Sequence, residues 1–369
     1  MNILLINPIL YSSENYVIPK VVSIKDCMIY SLALAFKSLG HTVTIIAAED
    51  YRPVKHEEYD LDILFMKTGL KKIFYPSIFP YLIHLSEYLK KKGKSFDFII
   101  TGEVFAFHSL LSAIFCKKNT VVWHELNAHN RMFHKIPSKF WYNIIGRLFF
   151  RNVLIIPRSG PAYHFIRQFC NTVSSIPVDH GVNLKKFIFS KKKEKQFIVV
   201  AQLIKRKNID YVIRQFSGFI QKYSQENYRL IIAGKGPEEE YLKALVKELN
   251  IEPVVHFTGF LNHYELNKQI AQSIATLIAT TKDLNMVSIP ESIVSGTPIL
   301  SNTVPALSSY IVENGLGICK DNWGIEELEQ MVKRLPEFSG NCIQKRVELS
   351  SENSAKKMLD LFEEFKENY

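Results

Sequence analysis

Two carboxylates stand eight positions apart in the stretch Asp283-Leu-Asn-Met-Val-Ser-Ile-Pro-Glu291-Ser-Ile-Val-Ser-Gly296. The first follows a β-rich apolar run (275–280), and the second falls in the first turn of a helix expected over 288–295. Both can therefore border a ligand on one rim. The backbone N–H groups of Met286, Val287 and Ser288 would open that helix start toward a diphosphate, because free amides and the helix dipole favour an anion there. Ser288-x-x-Glu291 with Pro290 also fits a capping box, a purely structural device, and the two readings are compatible. Upstream, Lys205-Arg206-Lys207 put three cations in a loop between a strand and a helix, a place from which phosphate is gripped; a solvated charge run is the plain alternative. Gly234-Lys-Gly236-Pro237 lies in a similar strand-to-helix turn, where glycine serves either close approach to a ligand or the turn itself. In the first half, Trp123-His124-Glu125 closes a strand and Glu103 follows another; a solvated loop carboxylate is the simpler expectation for Glu103.

These residues need a scaffold that brings strand ends together. Short β-rich runs alternate with longer amphipathic segments throughout, the pattern of a parallel α/β sheet. Strands are expected at 3–7, 42–47, 97–101, 120–125, 153–157 and 172–177, then at 196–201, 228–234, 254–259, 275–280 and 298–302. Helices are expected at 26–39, 208–223, 237–249, 263–272 and 288–295, with helical segments from Glu326 to Phe365. The charged, turn-rich stretch 177–195 separates the two series. The sequence thus predicts a first doubly wound domain over 1–180, a second over 190–350, and a C-terminal helix over 351–369 that packs back on the first. Two such units imply an intervening cleft, with ligands at the carboxyl ends of the strands.

Of 369 residues, 46 are Lys or Arg and 36 are Asp or Glu, a net charge of +10. Residues 1–190 hold 23 cations and 13 acids, and residues 191–369 hold 23 of each, so the excess lies wholly in the first half. That half should face an anionic partner. Five dispersed cysteines without a C-x-x-C pair indicate neither a disulfide framework nor a zinc cluster, and fit a reducing cytosol. The N-terminus lacks the basic start and cleavage site of a signal peptide, and no run reads as a bilayer span. The pair Asp60-Leu-Asp62 is a literal D-x-D, too short and too common to define a metal site.

The order of these motifs resembles the GT-B glycosyltransferases of the retaining family 4 type (glycosyl transferases group 1). The resemblance extends over nearly the whole chain: IPVDHGVNLKKF (176–187) looks like the family's interdomain loop, VVHFTGFLNHYELNKQIAQSIATLIATT (254–281) like its central segment, and GHTVTII (40–46) like its N-domain strand. It implies two Rossmann-like domains facing a cleft, and a nucleoside diphosphate sugar, UDP-linked sooner than GDP-linked, as donor. By that resemblance Glu291 holds the ribose hydroxyls. Asp283, one methylene shorter than the family's glutamate, faces the transferred sugar. Lys207 grips the diphosphate. Gln202 replaces the family's arginine and Asn208 its glycine, so Lys205 or Arg206 is left to restore the lost charge. His124 resembles the family's histidine that reaches the donor sugar. Glu103 and Glu125 fall on the acceptor side. The family's Gly-Gly loop is replaced by Asn7-Pro8 and the longer segment 9–20.

The implied reaction is retaining transfer of a hexose or acetamido-hexose, without a metal cofactor, to a lipid-linked glycan acceptor in bacterial surface polysaccharide synthesis (lipopolysaccharide O-antigen or capsule). Two basic, aromatic stretches, 70–94 and 134–152, suit an anionic membrane surface and a peripheral location on the cytoplasmic side; core helix faces ringed by solvated lysines are the alternative. No nucleic-acid-binding signature is present. A nucleotide-sugar epimerase on the same fold, and a non-catalytic sugar-nucleotide binder, are the rival readings.

Overall fold

In the computed structural model, which describes residues 1–11, 17, 18, 20–130, 132–283 and 285–368, the chain divides into two compact units. Unit 1 comprises Met1–Gly181 with Ser351–Tyr369, and unit 2 comprises Val182–Ser350. Part of the 9–20 segment, residues 12–16 and 19, lies outside the described residues.

Unit 1 contains β1 (Asn2–Ile6), β2 (Thr42–Ala48), β3 (Asp62–Met66), a small antiparallel pair β4 (Thr68–Gly69) and β5 (Tyr81–Leu82), then β6 (Phe98–Gly102), β7 (Thr120–His124) and β8 (Leu154–Pro157). Its main sheet has the order β3-β2-β1-β6-β7-β8, and every pairing is parallel. Unit 2 contains β9 (Gln196–Val200), β10 (Arg229–Ala233), β11 (Val255–Gly259), β12 (Ala275–Leu277), β13 (Ile299–Ser301) and β14 (Gly317–Cys319), ordered β11-β10-β9-β12-β13-β14 and again wholly parallel. The central strands are apolar runs such as Ile-Leu-Leu-Ile at 3–6 because helices cover both faces of the sheet. In each unit the order reverses beside the first strand, at β1/β6 and at β9/β12. A switch point of this kind opens a crevice at the carboxyl ends of the strands.

Helix Ser351–Asn368 belongs to unit 1, where Ala355, Met358, Phe362 and Phe365 recur at helical spacing and enter the core around β1 and β6. Phe362 stacks on Phe98 with ring centroids 4.2 Å apart. The strand expected over 172–177 is reduced to a single bridge between Val173 and Ile155. Ser174 ends it: its hydroxyl donates to the Ile176 carbonyl and accepts from the Ile176 N–H, a local turn that competes with the ladder. The segment around Asp60 and Asp62, outside the strands expected from the sequence, leads into edge strand β3, and Asp60 accepts a hydrogen bond from the Tyr30 hydroxyl.

Candidate functional site

At the switch point of unit 2, the loop after β9 carries Gln202, Lys205, Arg206 and Lys207, and the loop after β12 carries Asp283. Arg206 Nε donates to Asp283 Oδ1 at 3.0 Å, and Lys207 Nζ lies 3.0 Å from Asp283 Oδ2. Thr280 Oγ1 donates to the same Oδ2 at 2.6 Å. Burial works to raise the Asp283 pKa, but the hydrogen bonds from Thr280 and Lys207 and the charges of Lys207 and Arg206 outweigh it and hold the carboxyl below its ordinary value. Gln202 and Lys205 are exposed. Asn208 adopts the left-handed conformation at φ 52°, which asparagine tolerates better than most residues and which glycine adopts freely.

Gly234 and Gly236 have a packing role. A Cβ on Gly234 would lie 1.8 Å from the Ala201 carbonyl oxygen, and one on Gly236 would lie 2.3 Å from that of Leu203. Gly234 also has a φ of 148°, and the Leu203 N–H donates to the Lys235 carbonyl at 3.0 Å. The absent side chains let these two strand-end loops lie against each other.

Helix Ser288–Val294 starts after Val287, which is exposed, while Met286 and Ser288 are buried. The capping box expected from Ser288 and Glu291 does not form, since the N-cap residue is Val287 and no side chain caps the helix. Glu291 is 8% exposed, and its carboxyl has no hydrogen-bond partner among the described residues. Burial alone pushes its pKa up to about 8. With no donor from the described residues, the carboxyl is left to hydrogen-bond with what reaches it through that small opening, water or a ligand.

The switch point of unit 1 has the opposite character. A cavity of about 240 Å³ is lined by Asn7, Phe105, His108 and Trp123 together with Glu103, Glu125 and Arg158. Glu103 follows β6 with φ 63°, a left-handed conformation that is uncommon for a residue with a side chain. Its Oε1 accepts the Glu125 N–H at 2.9 Å, and its Oε2 lies 2.9 Å from His124 Nδ1. Burial works to raise its pKa, but His124 and the backbone donors of Glu125 and Leu126 outweigh this and lower it. Glu103 is therefore a fixed carboxylate in a cavity wall rather than the solvated loop residue that its sequence context suggests.

His124 departs from its expected place. Its side chain is fully buried beside Phe165 and Tyr142, and Nε2 has no partner, so in this structure it supports Glu103 from behind and does not meet solvent. Its position as the last residue of β7, a strand buried along its whole length, turns the ring into the core. Glu125 pairs with Arg158 at 2.5 Å.

Arg158, Asp179 and His180 form a cluster that was missed in the sequence. Arg158 is buried, and its Nη2 donates to Asp179 Oδ1 at 3.1 Å. Burial opposes ionisation of both, but Arg158 and His180 hold Asp179 well below the usual carboxylate range. The signal in the sequence is an arginine directly after the strand run VLIIP, at the carboxyl end of a strand where ligands bind.

Residues 183–352 match the family model described as glycosyl transferases group 1. The match spans unit 2. Curated relatives include an uncharacterized glycosyltransferase of Methanocaldococcus jannaschii, 27% identical over 157 residues, which are 41% of this chain and 40% of the relative. Another is the alpha-monoglucosyldiacylglycerol synthase of Streptococcus pneumoniae, 24% identical over 174 residues, or 46% of this chain and 38% of the synthase. The alignments thus span about two-fifths of these curated relatives. Among solved structures, Anabaena HepE in complex with UDP and glucose superposes with a TM-score of 0.64 at 11% identity, covering 99% of this chain and all of that one. The likeness over both units shows the GT-B fold, and the group 1 match lies in unit 2.

Proposed function

We propose that the protein is a retaining glycosyltransferase that moves a hexose or acetamido-hexose from a nucleoside diphosphate sugar, UDP before GDP, to a lipid-linked saccharide. The observation that carries this reading is the buried, unpartnered carboxyl of Glu291, eight residues after the cation-bound Asp283. Two ribose hydroxyls would supply the hydrogen bonds it lacks, and Lys207 would take the diphosphate. The sugar C1–O bond breaks, and the diphosphate leaves with the electron pair. The acceptor oxygen then bonds C1 from the same face, and its proton passes to a diphosphate oxygen. In this reading the leaving charge is met by side chains of unit 2 rather than by a metal ion. Unit 1 would take the acceptor, with the fixed carboxylate of Glu103 accepting a hydrogen bond from a sugar hydroxyl and Trp123 and Phe105 offering apolar ring faces. Both the glucosyldiacylglycerol synthase by its name and HepE by its bound UDP and glucose support this choice of substrates.

A peripheral site on the cytoplasmic face of an anionic membrane belongs to the same reading. Among the described residues no helix is long and apolar enough to cross a membrane. Residues 126–178 contain no Asp or Glu, and the helical segment 136–149 exposes Ile136, Phe140, Ile144 and Leu148 beside Lys135, Lys139, Arg147 and Arg151. Four residues overshoot one α-helical turn, and the wider π turn over Trp141–Gly146 offsets that drift, which keeps this i, i+4 row on one face. The 70–94 stretch is less suited, because Leu85 and Leu89 are core residues and Lys91 pairs with Glu87 at 2.7 Å.

The test is to incubate the protein with a panel of nucleoside diphosphate sugars, with and without lipid-linked acceptors. Transfer only with acceptor supports the reading. Isomerised sugar nucleotide without acceptor would make the protein an epimerase, and tight binding with no turnover under any condition would make it a binder. Liposome sedimentation tests the membrane surface: Phe140→Ser with Leu148→Ser should release the protein from anionic vesicles, and unchanged binding would reject that face.

A further inference from the structure

Asp283 is already engaged on both of its oxygens. Oδ1 accepts from Arg206 Nε at 3.0 Å, while Oδ2 lies 3.0 Å from Lys207 Nζ and accepts from Thr280 Oγ1 at 2.6 Å. The backbones of the two loops are joined as well: the Thr281 N–H donates to the Arg206 carbonyl at 2.8 Å, and the hydroxyls of Thr280 and Thr281 reach that same carbonyl at 3.1 and 3.2 Å. Thr280 is fully buried, so the anchor of this arrangement is part of the core. Arg206 is held through Nε, on one edge of its guanidinium; its side chain is 45% exposed, and its terminal nitrogens have no partner among the described residues. That is the geometry of a cation fixed at one edge and free to donate at the other.

Two cations on neighbouring residues repel each other, and a carboxylate between them offsets the repulsion and fixes both heads. A carboxylate used in this way is not free to meet a sugar. We propose that Asp283 is a positioning residue of a diphosphate clamp rather than a contact to the transferred sugar, and that Arg206, beside Lys207, supplies the second cation that Gln202 does not. The inference rests on the donor reading above and deepens it. It also separates Arg206 from Lys205, which is exposed and has no ion pair among the described residues. Arg206 stands four positions after Gln202, and the aspartate is what makes its position usable.

Calorimetric titration of the full chain with UDP and with uridine tests this. The proteins are the wild type, Arg206→Gln, Asp283→Asn, the double variant and Asp283→Glu, each with thermal melting to verify folding. Arg206→Gln should weaken UDP by about tenfold, with uridine unchanged, since charge-assisted hydrogen bonds to phosphate are lost. In the Asp283→Asn background the same change should cost less than about threefold, because contributions that depend on one another do not add. Asp283→Glu should keep part of the coupling, and rising salt should weaken UDP binding more in the wild type than in Arg206→Gln. An equal Arg206→Gln effect in both backgrounds would overturn the proposal. So would an Asp283→Asn protein that binds UDP as the wild type does and loses only sugar transfer. If the folded wild type binds no nucleoside diphosphate, the donor reading fails and takes the clamp with it. If UDP binds in a Glu291-dependent way with no contribution from Arg206, the clamp alone fails.

Discussion

Glu103 and Glu291 occupy comparable places in the two units, each following the strand that lies across the switch point from the first strand of its sheet. Their surroundings are opposite. Glu103 meets His124 and the Glu125 N–H, and its carboxyl is held below the usual range, whereas the Glu291 carboxyl has no hydrogen-bond partner among the described residues and is pushed up to about 8 by burial. A carboxylate whose partners are built into the chain is an ordered ion before any ligand arrives. One without built-in partners is biased toward the neutral acid until a ligand supplies donors. The same fold therefore builds a preset anion in one unit and an unfilled acceptor in the other.

The sharpest way to break this contrast is Glu291→Ala. Loss of two hydrogen bonds to a ribose should weaken UDP by about 100-fold in calorimetry, and unchanged affinity would remove Glu291 from the donor site. Glu103→Gln should act on the other side, lowering stability by about 1–3 kcal/mol in urea unfolding because the bonds its carboxylate makes with buried His124 and the Glu125 N–H would be weakened. It should leave the UDP affinity alone, and an equal loss of UDP binding in both variants would erase the distinction between the units.

A subtler test uses pH. Unfolded Glu291 ionises near its ordinary value of 4.5, while the folded protein holds the proton up to about 8. Across that window the folded state binds more protons, so this residue's contribution to stability is full below about pH 4.5, falls as the pH rises, and is lost above about pH 8. Glu291→Gln removes the loss. Its melting temperature should match the wild type near pH 5 and rise above it progressively toward pH 8, and a constant gap would mean that the carboxyl is not desolvated. The smallest effect is expected at Asn208, where replacement by alanine should cost about 1 kcal/mol because the left-handed backbone disfavours a Cβ, and replacement by glycine should be nearly neutral.

Local pattern carried much of the fold. Runs such as Ile-Leu-Leu-Ile at 3–6 and Leu-Ile-Ile-Ala at 230–233 announce buried parallel strands by composition alone, and the glycines after β10 mark a strand-to-helix turn. Edge strand β3 is hidden because Asp-Ile-Leu-Phe-Met at 62–66 sits among charged residues, and the strand expected over 172–177 shrinks to one bridge because the Ser174 hydroxyl bonds the backbone of Ile176. The site was legible as residue types and spacing. The partners were not, since Arg206 reaches Asp283 across 77 positions and Glu103 reaches His124 across 21.

What the sequence determined by itself is periodic: which segments bury apolar faces, where the strands end, and that cations and carboxylates stand at those ends, because propensity and hydrophobic spacing act over a few residues. What only the tertiary structure decided is which charges are satisfied. His124 went into the core, Asp283 closed on two cations, and Glu291 was left alone, because hydrogen-bond partners and desolvation depend on elements far apart in the chain that packing alone brings into contact.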